Sequence, residues 1–290
     1  MFRLAPVGFV LLWASSFIAA RIGLRFLSPL LFVTVRLIAA AAVLSCVALL
    51  LRRPWRELAG RWGHFAVSGV LTNTVLLMTA HYAMVHTAAA PIALVQTLNP
   101  LLTALLAWPL LGEQLRPLQW LGLLLGAAGV VLVVGLAARR SSVELNGLLL
   151  TAGGVIALCA GTLYFGRFCR GVPIVEGTAV QLLAAAAAGI VATAAFETPH
   201  AIWNGPAVGA IAWNAGAVSL GGMALYYLML KHGTAARVTS NFYLVPGTAA
   251  FMAWSLLGEP LPVLTLVGLA VSSLGCWLVS RRQRGILVAA

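Results

Sequence analysis

Apolar runs of about 20 residues, each long enough for one bilayer crossing, alternate with short polar segments along nearly the whole chain. Ten such runs read as transmembrane helices: Leu4–Ala20, Pro29–Leu51, Phe65–Met84, Ala90–Leu111, Leu118–Leu136, Gly147–Phe165, Thr178–Phe196, Val208–Leu230, Val238–Leu257 and Leu261–Val279. The pattern is also written twice. HTAAA and LNPLLTALLAWPLLGE within residues 86–113 return as HGTAA and LVPGTAAFMAWSLLGE within residues 232–259. The offset of 146 holds for His86 and His232, Pro100 and Pro246, Glu113 and Glu259, Gly122 and Gly268, and Gly129 and Gly275. A repeat sets the architecture before any other feature. Five helices per repeat is an odd number, so the second copy enters the membrane from the opposite side. The expected fold is therefore an all-α membrane protein of ten transmembrane helices in a 5+5 inverted-topology repeat, residues 1–140 and 141–290. Inverted repeats place a binding site near the midplane, where the halves meet, and allow alternating access by rocking.

Composition sharpens this picture. With 62% hydrophobic and 8% charged residues, the 290-residue chain has more apolar surface than a soluble domain could bury. Its net charge of +12 does not point to nucleic acid, because the 18 Lys and Arg sit between apolar runs and form no basic domain. They read as topology signals. With a cytoplasmic N-terminus, 13 of them fall inside (four are Arg52, Arg53, Arg56 and Arg61) and 4 outside (Arg21, Arg25, Arg139, Arg140), while Arg36 lies within a span. Both termini are expected to be cytoplasmic. The first run also fits a cleavable signal peptide, ending at Ile18-Ala19-Ala20. Against cleavage, Ser16 and Arg21 have repeat partners in Thr162 and Arg167. The chain has no aspartate, so Walker-type magnesium sites and aspartyl-phosphate pumping are excluded on this chain. Cys46, Cys159, Cys169 and Cys276 show no metal-ligand spacing and read as small packing residues. No metal and no cofactor is expected.

The WASSF segment at 13–17, the Pro29…Arg36 spacing, and two LLGE segments each followed by a glycine-rich helix resemble the EamA family of the drug/metabolite transporter superfamily. By these motifs the chain is similar to exporters of the YddG type. The resemblance spans nearly the whole chain. It implies a secondary carrier of the bacterial inner membrane, working as a monomer and exporting amino acids, related metabolites or drugs. Amino acids are the first expectation, and a cationic or amphipathic drug is the alternative. Small multidrug carriers rely on an acid in their first helix, which this chain lacks. A membrane enzyme or assembly scaffold is the reading from another class, but His81, His86 and His232 have no carboxylate at hand for acid–base work.

The candidate lining comes from spans one, three, four, six, eight and nine. Pro100 and Pro246 free a carbonyl four residues earlier, at Gln96 and Phe242. Such carbonyls are tolerated at membrane depth when they face protein or a wet cavity. Gln96 and Asn99 share a helical face there, while Asn241 and Tyr243 flank the equivalent point in the second half; packing kinks are the plainer reading. Trp13, Ser16 and Phe17 share a face of span one. His81-Tyr82 and Tyr226-Tyr227 are repeat partners, read either as interfacial belt aromatics or as gates, with Tyr82 and Tyr227 favoured. Tyr164 on span six and Asn73 on span three complete the set. Asn73 and its partner Ser219 also read as interhelical hydrogen bonds. Arg36 either holds a substrate carboxylate or binds helix-end carbonyls. Glu113 and Glu259 read as caps of the helices that follow them. With no carboxylate well inside a span, transport is expected to complete without a proton.

Overall fold

The computed structural model describes residues 4–51, 58, 60–111, 117–169, 174–222, 225, 229 and 240–280. Its regular elements among these residues are helices, and the one β-type contact among the described residues is the Leu27–Ala201 bridge. The helices are α1 (Ala5–Gly23), α2 (Pro29–Leu50), α3 (Trp62–Gly69), α4 (Leu76–Met84), α5 (Ala89–Gln96), α6 (Leu98–Leu111), α7 (Pro117–Arg140), α8 (Ser142–Phe168), α9 (Ile174–Phe196), α10 (Gly205–Ala212), α11 (Val245–Leu257) and α12 (Val263–Ser280). Each lies within or around one of the expected spans. Six stretches among the described residues are long and apolar enough to cross a membrane, among them Trp62–Met84; Val245–Leu257 and Val263–Gly275 are shorter apolar helices. Leu124, Val131, Ile156, Val191 and Phe251 stand exposed on helix surfaces, an outer coat suited to lipid.

Local chemistry sets the ends. Proline opens α1, α2, α10 and α11, where its missing N–H costs nothing. Asn204 and Ser141 accept from Ala207 N–H and Val143 N–H to cap α10 and α8. Gly258, at φ 67°, closes α11 in the left-handed conformation. Glu197, at the end of α9, accepts from the Ser28 hydroxyl at 2.7 Å and from Leu31 N–H at 3.0 Å, and so caps α2 from a distant part of the chain.

Packing crosses between the two halves of the sequence. α2 lies along α9, α7 along α12, α4 along α8, and α1 against α10 and α11. Glycines carry the closest approaches. A Cβ on Gly129 would stand 2.5 Å from Gly268 O, and one on Gly275 would stand 2.5 Å from Gly122 O. The contact at these glycines is therefore backbone against backbone.

Four interruptions organise the interior. Span three is α3, a π-helical stretch at Val70–Val75, then α4; α10 likewise passes into π-helix at Trp213–Gly222. Span four breaks at Thr97, between α5 and α6 and three residues before Pro100. A 3-10 stretch, Ser240–Leu244, leads into α11, with Pro246 in its first turn. These breaks sit at equivalent places under the 146-residue offset. π-Turns and proline breaks leave carbonyls without their helical partners, which membrane helices keep where side chains or a cavity can serve them.

Candidate functional site

The freed backbone gathers polar side chains. Thr97, at the break of span four, donates to Leu94 O at 2.6 Å and meets Ser272 Oγ at 2.9 Å. Beside it Gln96 and Asn99 are both half-buried, and Asn99 Oδ1 is buried without a hydrogen-bond partner. Asn241, in the 3-10 stretch, points its amide at Met229 Sδ, 3.8 Å away. Phe242 stands edge-on to Trp13 at 5.0 Å and to Phe9 at 4.9 Å, so α1 and the start of span nine share an aromatic wall. Trp13 thus packs in the bundle and is half-buried, while Phe17 is buried in the core. Ser16 turns back onto Trp13 O at 2.7 Å.

Several expected roles change. Asn73 donates to Gly69 O at 3.2 Å and to Thr72 Oγ1 at 3.0 Å, and Ser219 donates to Asn214 O at 2.9 Å. These bonds stay within their own helices, because the π-turns supply carbonyls that a regular helix would have used. The interhelical reading of the pair is thereby corrected. Seam bonds come from other residues: Thr74 donates to Ala185 O at 2.8 Å, and Gln181 to Ser68 Oγ at 3.2 Å. Adjacent residues His81 and Tyr82 part company. His81 is buried, stacks on Phe32 at 5.6 Å and donates from Nδ1 to Leu77 O at 2.7 Å. Tyr82 is 47% exposed, against His86. Tyr227, Glu113 and His232 lie outside the described residues, as does the side chain of Tyr243. Cys159 and Cys169 pack as expected, whereas Cys46 is exposed.

Glu259 is not the cap of its own following helix. Its Oε1 accepts from Arg21 Nε at 2.5 Å, and its Oε2 accepts from Ala89 N–H, at the start of α5, at 2.9 Å. Arg21 also donates to Met84 O, at the end of α4. One ion pair thus ties together the ends of α1, α4 and α11 and the start of α5. Beside it lies a cavity of about 270 Å³ lined by Arg21, Leu24, Arg25, Val85, Leu257 and Glu259. At the other end of span three, His64 Nδ1 meets Tyr164 OH at 2.7 Å and its ring stacks on Phe168 at 4.9 Å. Tyr164 therefore belongs to an end cluster, opposite the ion pair, and not to the midplane. Glu176, in the first turn of α9, is fully buried with neither oxygen hydrogen-bonded. Among the described residues no group of three His, Cys, Asp or Glu is placed to hold a metal.

Comparison with known proteins gives this bundle its place. The family model for EamA-like transporters matches residues 4–135 and again residues 145–281. The chain belongs to the EamA-like transporter family. It is a multi-pass membrane protein and a transporter, not an enzyme. The transporter YvbV of Bacillus subtilis is 25% identical over 282 residues, covering 97% of this EamA-like chain and 92% of its own. A protein of Streptantibioticus cattleyicolor named as a probable terminal-alkyne amino-acid exporter is 28% identical over 288 residues, covering 95% and 92%. A solved crystal structure shares the EamA-like fold with a TM-score of 0.69 at 22% identity, covering 98% of this chain and 99% of that one.

Proposed function

We propose that this EamA-like transporter exports small amphipathic metabolites, foremost neutral amino acids, across the bacterial inner membrane by alternating access between inverted five-helix halves, residues 1–140 and 141–290. The observation that carries the reading is the matched interruption of spans three, four, eight and nine. It opens backbone and amide groups beside the Trp13–Phe242 wall. Helix pairing across the two halves and the twofold family match support the repeat, and the Streptantibioticus relative supports the substrate class. The Arg21–Glu259 pair then closes the outer mouth, with both termini cytoplasmic.

The deciding experiment is counterflow in proteoliposomes with a panel of labelled neutral amino acids, with and without a pH gradient. Exchange that persists when an ionophore collapses the gradient is the expected result; no exchange of any amino acid would sink the substrate reading. Gln96→Ala and Asn99→Ala are each expected to weaken apparent affinity by about 10-fold, the worth of one hydrogen bond to a charged group, at unchanged expression. Normal export by both variants would make this polar face structural. Orientation is tested separately, with the native cysteines replaced. Arg56→Cys and Ser141→Cys are expected to label from opposite sides of the membrane with an impermeant maleimide. Labelling from one side only would end the inverted-repeat reading.

A further inference from the structure

We propose that Arg36 is the carboxylate-binding residue of the transport site, so that the substrate is an α-amino carboxylate held by its acid group in the first half of the molecule. This rests on the proposed export of amino acids and adds which residue reads the acid.

The argument begins with the face of α2 that Arg36 occupies. Its neighbours at i−4, i−3, i+1 and i+4 are Phe32 (0% exposed), Val33 (0%), Leu37 (2%) and Ala40 (3%). Lipid meets the helix at Ile38, well round from this face, and again at Val43, two turns beyond Arg36 on the same face. Arg36 therefore borders the buried face of α2, and it starts about 10 Å in from Pro29 at ~1.5 Å per residue. Snorkelling to an interface suits a residue near a helix end, whereas Arg36 lies two turns in. Yet Arg36 is half-buried, not sealed.

Among the described residues nothing answers its charge. Arg36 takes part in no hydrogen bond or ion pair among the described residues. Helix-end carbonyls, the plainer expectation from sequence, do not hold it. The acid on the neighbouring α9 that lies toward the start of α2, Glu197, is already occupied by Ser28, Leu30 and Leu31. A cation at membrane depth is costly unless it is paired or functional. Past a one-residue slip in the repeat, Thr34-Val35-Arg36-Leu37 lies opposite Ala179-Val180-Gln181-Leu182, and this partner makes the contrast. Gln181 in the second half is satisfied by Ser68, and its backbone is packed against Gly69. The same position is thus structural in one half and, among the described residues, unpaired in the other.

A second observation points to the ligand. His81 on α4 stacks on Phe32, one turn before Arg36 on α2, and is 4% exposed. Its Nδ1 faces a carbonyl, which only accepts, so Nδ1 carries the hydrogen and Nε2 keeps a bare lone pair. Nε2 is buried and has no partner. Arg36 offers only donors and His81 Nε2 only an acceptor. The complement is a molecule with an anionic acceptor beside a cationic donor, an amino acid zwitterion. A guanidinium matches the two oxygens of a carboxylate in geometry.

The test compares L-phenylalanine with L-phenylalaninamide, which keeps the ring and the amine but lacks the acid. Both are used as competitors in counterflow of labelled L-phenylalanine, and as ligands in thermal-shift measurements on purified wild-type protein. The wild type is expected to prefer the acid by at least ~10-fold, the worth of one charged hydrogen bond. Arg36→Gln should weaken the acid by at least that factor and leave the amide unchanged, so the preference disappears. Arg36→Lys should keep part of it. Exchange of phenylalanine by a wild type that treats acid and amide alike would overturn the assignment to Arg36 while leaving amino-acid export standing. So would a well-folded Arg36→Gln that keeps the full preference. Failure of the wild type to exchange any amino acid is a different result and removes the underlying reading with it.

Discussion

Glu259→Ala is expected to reduce transport by at least ~10-fold and to open the end of the bundle that the wild type holds shut. The carboxylate has two jobs, one per oxygen: an ion pair with Arg21 at 2.5 Å and a cap on Ala89 N–H at 2.9 Å. The two side chains are 27% and 10% exposed, so neither charge is freely hydrated. Removing one leaves the other half-desolvated beside Met84 O, at a cost of about 3 kcal/mol, the lower end for a broken buried pair. At 1.4 kcal/mol per factor of ten, that moves the balance between closed and open mouths by more than 100-fold. Glu259→Gln separates the two jobs, since an amide oxygen still caps Ala89 while the ion pair is gone; it should fall between wild type and Glu259→Ala. The direct readout is labelling of a cysteine at Leu257, in the wall of the adjacent cavity, by an impermeant maleimide. Labelling should rise in Glu259→Ala. Unchanged labelling together with normal transport would mean that this pair is a fixed strut and not a gate.

The bundle's plan was legible in the sequence for a physical reason. In hydrocarbon every backbone polar group must be satisfied within its own helix, so an apolar run of about 20 residues has few alternatives. The break before Pro100 and the entry at Pro246 were legible because proline removes a donor. The close glycines were legible because spans five and ten repeat them in register. The π-turns were not. A change from i→i+4 to i→i+5 bonding leaves no composition signature in VLTNTV or WNAGAVSLGG, and it decided where Asn73 and Ser219 bond. Partners far apart in the chain were equally hidden. Glu259 reads as a local cap from LLGE, and only the assembled bundle brings it to Arg21 and Ala89. Arg36 and Gln181 look like a mismatched pair in sequence. The fold gives the mismatch meaning by pairing Gln181 with Ser68 and giving Arg36 no partner among the described residues.

Gly129→Ala and Gly275→Ala are expected to cost the protein much of its folded yield, whereas Gly135→Ala on the same helix as Gly129 is expected to cost nothing. Helices in lipid gain no hydrophobic driving force from meeting one another, so close van der Waals contact carries their association. Along α7 and α12 that contact is made by backbone. The added methyl at Gly129 would lie 2.5 Å from Gly268 O and 2.7 Å from Ser272 N, and neither is the far end of a side chain that can swing away. The helices must separate, at about 1–3 kcal/mol for each overpacked site. Loss of neighbouring contacts along the seam adds to this, since Gly268 and Gly275 sit on one side of it and Gly122, Gly126 and Gly129 on the other. At Gly135 a Cβ would meet nothing within 4 Å, so alanine there only improves helix propensity, by up to ~1 kcal/mol. Gly153 on α8 is open in the same way and serves as a second control. The measurement is the midpoint of thermal unfolding and the monodisperse fraction in detergent for all four variants. A lowered midpoint for the two seam variants, with the controls at or above wild type, is the expected result. If Gly129→Ala and Gly135→Ala unfold together, the α7–α12 seam is not what holds the two halves at that edge.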